Sequence, residues 1–74
     1  MMSKKIYEEF EKYNELQNIL LNMDNDEKIN EAKSFIDNNG LLKNKNKTLS
    51  TIRLIGSVVL VKPNLLENSV KLLN

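Results

Sequence analysis

Seventy-four residues make one small domain at most, and a core of that size has little stability to spare for an elaborate active site. Eleven basic side chains oppose ten acidic ones, so a net charge of +1 names neither nucleic acid nor membrane as the partner. Neither cysteine nor histidine is present, which excludes disulfides, thiolate nucleophiles, the common zinc ligands and the side chain that titrates near neutral pH.

In chain order, Ser3 is placed to cap a first helix over about 4–22. Its apolar residues Ile6, Phe10, Tyr13, Leu16, Leu20 and Met23 recur every three or four positions and so share one stripe. Asp24, with Glu27 three residues on, reads as a capping box for a second helix over about 25–38 that buries Ile29, Ala32, Phe35 and Ile36. Gly40 follows it, suited to the left-handed turn at a helix C-terminus. Leu41 and Leu42 can fold back on these helices, and Lys43-Asn44-Lys45-Asn46-Lys47, lacking an apolar member, is expected to be a mobile basic loop over 43–47.

The apolar segment 49–61 admits two readings. Leu49, Ile52, Ile55 and Val59 have helical spacing, while the many β-branched residues and Gly56-Ser57 would also suit a β-hairpin. Two short strands without a third are marginal in water, so a helix is favoured. Pro63 ends it, and Asn64 with Glu67 signals a last helix over about 65–73 carrying Leu65, Leu66, Val70 and Leu73. The expected fold class is all-α, a single small bundle of three to four helices, with the hairpin as the alternative.

Met1-Met2-Ser3-Lys4-Lys5 leads into Ile6-Tyr7-Glu8-Glu9 instead of an apolar run, and the stretch from Leu49 to Val61 contains Arg53 and falls short of the roughly 20 residues a membrane span needs. A cytoplasmic protein without membrane contact is expected. Twelve asparagines, and ten lysines to one arginine, are what AT-rich codons supply.

No constellation announces catalysis. Asp24-Asn25-Asp26 has the look of a calcium loop, but the glycine and glutamate required at its sixth and twelfth places are Ile29 and Phe35. Gly40 and Gly56 are the only glycines, so there is no phosphate-cradling loop. A non-enzymatic protein with no cofactor, catalytic residue or metal ligand is expected.

Charge is instead distributed unevenly. Residues 1–40 hold five lysines against nine carboxylates, and residues 41–74 hold six basic groups against Glu67 alone. Glu8, Glu11 and Glu15 fall on one side of the first helix with neighbours about 5–6 Å apart, close to the phosphate spacing along a DNA strand. Asp24, Glu27 and Glu31 could continue that strip, which would be drawn into a basic channel that normally holds DNA. Lys43, Lys45, Lys47 and Arg53 offer the opposite reading, contact with nucleic-acid phosphates, although without interleaved aromatics they provide no base readout. Finally, 49–61 is more apolar than so small a chain can easily cover, which points to a homodimer through Ile52, Ile55, Val58 and Val59.

Length, AT-rich composition, the lack of Cys and His, and an acidic helix on a tiny helical body resemble the small proteins that phages of low-GC bacteria make to disable host machinery. One kind inhibits the sliding clamp of the bacterial replicase. Gln17-Asn18-Ile19-Leu20-Leu21 resembles the clamp-binding pentapeptide (glutamine, leucine, any residue, leucine, phenylalanine) at Gln17 and Leu20, and departs from it at Asn18 and Leu21. The resemblance implies an inhibitor of a host protein that fills the DNA channel and does not copy the peptide. A small nucleic-acid-binding regulator and an immunity or antitoxin-like helical protein are the alternatives.

Overall fold

A computed structural model describes residues 4–73, apart from the side chain of Lys5. The described residues form four α-helices: α1 (Lys4–Leu21), α2 (Asp26–Asn38), α3 (Lys45–Val61) and α4 (Leu66–Leu72), with a single 3-10 turn (Pro63–Leu65) before α4. Helix α1 packs on α2 and α3, and α4 closes the far side by packing on the same two. Helices therefore meet around a core made by Leu16, Leu20 and Met23, by Ile29, Ala32 and Ile36, by Ile55 and Val58, and by Leu41, Leu65 and Leu72.

Segment 49–61 is helical throughout, so the hairpin alternative is rejected. Ser57 donates its hydroxyl to the Arg53 carbonyl at 3.0 Å, one turn back, and Gly56 lies in the helix interior rather than in a turn. Thr51, fully buried, donates to the Leu41 carbonyl at 3.2 Å and ties α3 to the connection that precedes it. A β-branched residue is tolerated here because its hydroxyl satisfies a buried carbonyl.

Helix ends depart from the sequence reading at three places. The cap of α2 is Asn25, whose side-chain oxygen accepts from the Lys28 amide at 2.9 Å, and not Asp24. Both residues are good caps, and the chain enters α2 with Asn25 in the extended conformation that a cap requires. The mobile basic loop is overturned as well. Asn44 accepts from the Lys47 amide at 2.8 Å, so Lys45, Asn46 and Lys47 are the first turn of α3. Asn64 caps nothing: it lies inside the 3-10 turn that Pro63 starts, and α4 begins at Leu66 without a side-chain cap. The Ser3 cap lies outside the described residues. Replacing Asn44 with Ala removes the bond to Lys47 and is expected to cost about 1 kcal/mol, read as a lowered urea midpoint with an unchanged slope; an unchanged midpoint would deny the cap its role.

The end of α2 follows expectation. Gly40 has φ +60°, Leu41 donates to the Ile36 carbonyl and Gly40 to the Asp37 carbonyl, the two bonds of a left-handed helix stop. Leu41 and Ile36 are then both buried, while Leu42 stays partly exposed. Pro63 likewise follows the last residue of α3 by two.

Two long-range bonds fasten the C-terminal segment to the corner between α1 and α2. Lys62 donates its ammonium to the Leu21 carbonyl at 3.0 Å, and Asn68 donates its amide to the Met23 carbonyl at 2.9 Å. Placing a cation on the last carbonyls of α1 also complements the negative end of that helix.

Candidate interaction surfaces

Periodicity puts Ile6, Phe10, Tyr13, Leu16, Leu20 and Met23 on one stripe of α1, but the bundle covers only its second half. Leu16, Leu20 and Met23 are fully buried and Tyr13 is partly so, whereas Ile6 and Phe10 are 59% and 66% exposed. On α2, Ile29, Ala32 and Ile36 are buried as expected and Phe35 only partly. Leu20 is also the decisive residue of the Gln17–Leu21 segment. Held in a helix with Leu20 in the core, that segment is not the extended peptide that its sequence resembles.

The acidic surface is built by α1 and α2 together. Glu8, Glu11 and Glu15 are exposed on one side of α1. Glu15 and Glu31 line the same recess of about 230 Å³ between the helices, with Asn18, Ile19, Asn22 and Lys28. Asp24, in the connection, and Glu27, one turn before Glu31, are exposed, and neither lines that recess. Lys28 forms a 3.4 Å ion pair with Glu31 and offsets part of the charge in the recess. At the edge of the strip the Glu11 carboxylate accepts a hydrogen bond from Tyr7 and, with its own negative charge, holds the Tyr7 phenol above its ordinary pKa.

The basic residues do not form one patch. Lys45 and Lys47 stand two apart in the first turn of α3 and line one recess, while Arg53 lies two turns further on. Lys43 lies outside the helix, its aliphatic stem passing over Gly40. Glu9 of α1 shares a recess with Asn44, Lys45, Asn46 and Lys47, which sets a carboxylate among the lysines. Lysines in a first helical turn oppose the helix dipole, and a nearby carboxylate offsets that cost.

Compared with protein-family models, with curated proteins and with solved structures, the chain has no match.

A third surface was only half visible in the sequence. Of the four residues expected to pair two copies, Val58 belongs to the chain's own core, which corrects its assignment to a shared face, whereas Ile55 is buried in that core and also lines the floor of a groove between α3 and α4. Val59 is partly buried, and Ile52 is exposed. Ile52 instead joins Leu60 of α3 and Leu66, Val70 and Leu73 of α4 around an open apolar groove of about 230 Å³ whose lining includes no charged residue. These five side chains are exposed by 44% at Ile52 to 84% at Leu60. The helix α4 is thus turned relative to its expected face: Leu72 and Ser69 go inward, while Leu66, Val70 and Leu73 line the groove. The Ser69 hydroxyl is buried at the groove without a hydrogen-bond partner.

Among the described residues, no helix is long and apolar enough to cross a membrane, and no group of three or more Asp or Glu is placed to hold a metal ion.

Proposed function

We propose that the protein is a non-enzymatic inhibitor that works by protein-protein contact in the cytoplasm, as a homodimer, on a host DNA-handling protein. The acidic flank of α1 and α2 enters the basic channel that the host protein keeps for DNA, and a replication sliding clamp of a low-GC bacterium is the first candidate. The observation that supports this reading is the continuity of the flank, from Glu8, Glu11 and Glu15 on α1 across one recess to Glu31 on α2. Neighbouring carboxylates about 5–6 Å apart on a rigid helix repeat the charge spacing of a nucleic-acid strand. A helix holds that spacing before binding, so little order has to be gained on contact. The competing reading, direct binding of nucleic acid through Lys43, Lys45, Lys47 and Arg53, has weaker support because only Lys45 and Lys47 share a recess and Glu9 lines it with them. An immunity or antitoxin role has no separate observation in its favour.

Affinity capture from a low-GC bacterial lysate tests the proposal. The parent protein is expected to retain a DNA-handling protein that duplex DNA displaces, and a variant with Glu8, Glu11 and Glu15 all changed to Gln is expected to lose it. Capture that persists in that variant would overturn the acidic-flank reading.

A further inference from the structure

The groove between α3 and α4 contains a residue that the fold of one chain does not explain. Gly56 sits in the middle of a seventeen-residue helix, where glycine weakens a helix relative to alanine. Its φ is not positive, so no left-handed turn requires it. A Cβ built on it meets nothing within 4 Å, so no neighbour inside the chain requires it either. Glycine at an exposed helical position with room to spare leaves the helix backbone open to a close approach from outside.

The surroundings of Gly56 say what approaches. Ile52 lies one turn before it and Leu60 one turn after, so the three make a single i, i+4, i+8 ridge with its notch at the centre. Such a ridge is symmetric about Gly56 in spacing and in chemistry. Interdigitation of i±4 ridges is the common way that two helices pack. Laid antiparallel across the same point on a second copy, the ridge sets Ile52 against the partner's Leu60 and Leu60 against the partner's Ile52, with the two glycines at the crossing. Leu66, Val70 and Leu73 of α4 line the groove beside the ridge. No charged side chain lines the groove, so pairing it with itself brings no like charges together.

We infer that the α3–α4 groove is the interface between two copies of this chain, with the α3 helices crossing at Gly56. The area agrees with that occupant. The exposed parts of Ile52, Leu60, Leu66, Val70 and Leu73 present on the order of 500 Å² of apolar surface, near the upper limit for a patch that a monomer leaves bare. Two such faces remove on the order of 1,000 Å² from water, about the threshold that a specific interface has to clear and short of the roughly 1,200 Å² at which stable ones begin. Location of this interface rests on the homodimer named above but not on the acidic flank, which lies on α1 and α2.

The test is the mass in solution, by sedimentation equilibrium, of the parent, of Gly56→Gln and of Leu60→Glu. The parent is expected to be a dimer at micromolar concentration. Gly56→Gln puts a side chain into the crossing while improving the intrinsic helix preference, and should weaken the dimer by about a hundredfold or more. Its far-ultraviolet circular dichroism should remain helical, so that loss of the dimer is separated from loss of the fold. Leu60→Glu, at the most exposed of the apolar positions, should give the same folded monomer. Changing Glu8, Glu11 and Glu15 to Gln should leave the dimer intact. A monomeric parent, an open-ended assembly, or a Gly56→Gln variant that still dimerises as the parent does would each overturn the inference. If Leu60→Glu fails to fold, Gly56→Gln alone decides. Because capture through the acidic flank is read separately, a monomer that still retains its host partner refutes only the interface, and a dimer that captures nothing refutes only the inhibitor reading.

Discussion

Replacing Ile55 with Asp is expected to unfold the protein, whereas the same replacement at Leu60 is expected to leave it folded. Ile55 is 5% exposed, packed in the core with Val58 and Leu65 at the floor of an apolar groove without charged residues, so a carboxylate there has little water and no cation to compensate it. Burying such a group costs several kcal/mol. A domain of this length has roughly 4–11 kcal/mol of stability in total, so one such change removes most or all of it. Leu60 is 84% exposed, and Asp in its place stays in solvent. Far-ultraviolet circular dichroism with urea titration checks the pair. A folded Ile55→Asp protein, or an unfolded Leu60→Asp protein, would contradict the packing described here. The contrast also decides how self-association should be probed, since a charge at Ile55 would abolish a dimer only by destroying the monomer.

If the proposed host partner is captured, changing Glu8, Glu11 and Glu15 together to Gln is expected to weaken that capture by about thirtyfold, on the order of 2 kcal/mol. Each exposed carboxylate adds a few tenths to 1 kcal/mol, and the effect arises because three of them act in one row. Gln keeps the length and helix preference of Glu, so the change removes charge and leaves α1 in place. Attraction between exposed charges is screened beyond about 8 Å at physiological ionic strength. Capture by the parent should therefore decline as salt rises, chiefly through a slower association rate, while the triple variant responds less. Lys43, Lys45 and Lys47 changed together to Gln should leave capture nearly unchanged, because Lys45 and Lys47 already share a recess with the Glu9 carboxylate. Loss of capture in the lysine variant with retention in the glutamate variant would assign recognition to the basic residues instead.

Part of the surface chemistry was legible because charge needs no fold to be counted. The excess of carboxylates before residue 41 and of lysines after it stands in the sequence, and helical spacing places Glu8, Glu11 and Glu15 on one side of α1. That Glu15 and Glu31 share a recess could not be read in this way, since it depends on how α1 and α2 are turned toward each other. The basic cluster was misread for a local reason. Lys43 to Lys47 has no apolar residue to suggest a helix, yet the Asn44 side chain supplies an acceptor for the Lys47 amide and lets α3 begin earlier. A capping asparagine among lysines gives a quieter signal than an apolar stripe, because asparagine is as common in loops as at caps.

What the sequence determined by itself is three of the four helices and two helix stops, while for α3 it left a hairpin open. Apolar spacing marks α1, α2 and α4, Gly40 closes α2 through its left-handed conformation, and Pro63 cannot continue α3. These are short-range facts, fixed by backbone sterics and by which residues share a helix side. The tertiary structure alone decided which apolar residues are covered. At about 27 Å, α1 is longer than the roughly 20 Å of α2 beside it, and its stripe is buried from Leu16 onward but exposed at Ile6 and Phe10. Helix α3 has apolar residues on two sides; packing on α1 and α4 covers Ile55 and Val58 and leaves Ile52 and Leu60 bare. Periodicity tells which residues lie on one side of a helix, and burial depends on which other helices reach that side, a property of long-range packing that no local pattern encodes.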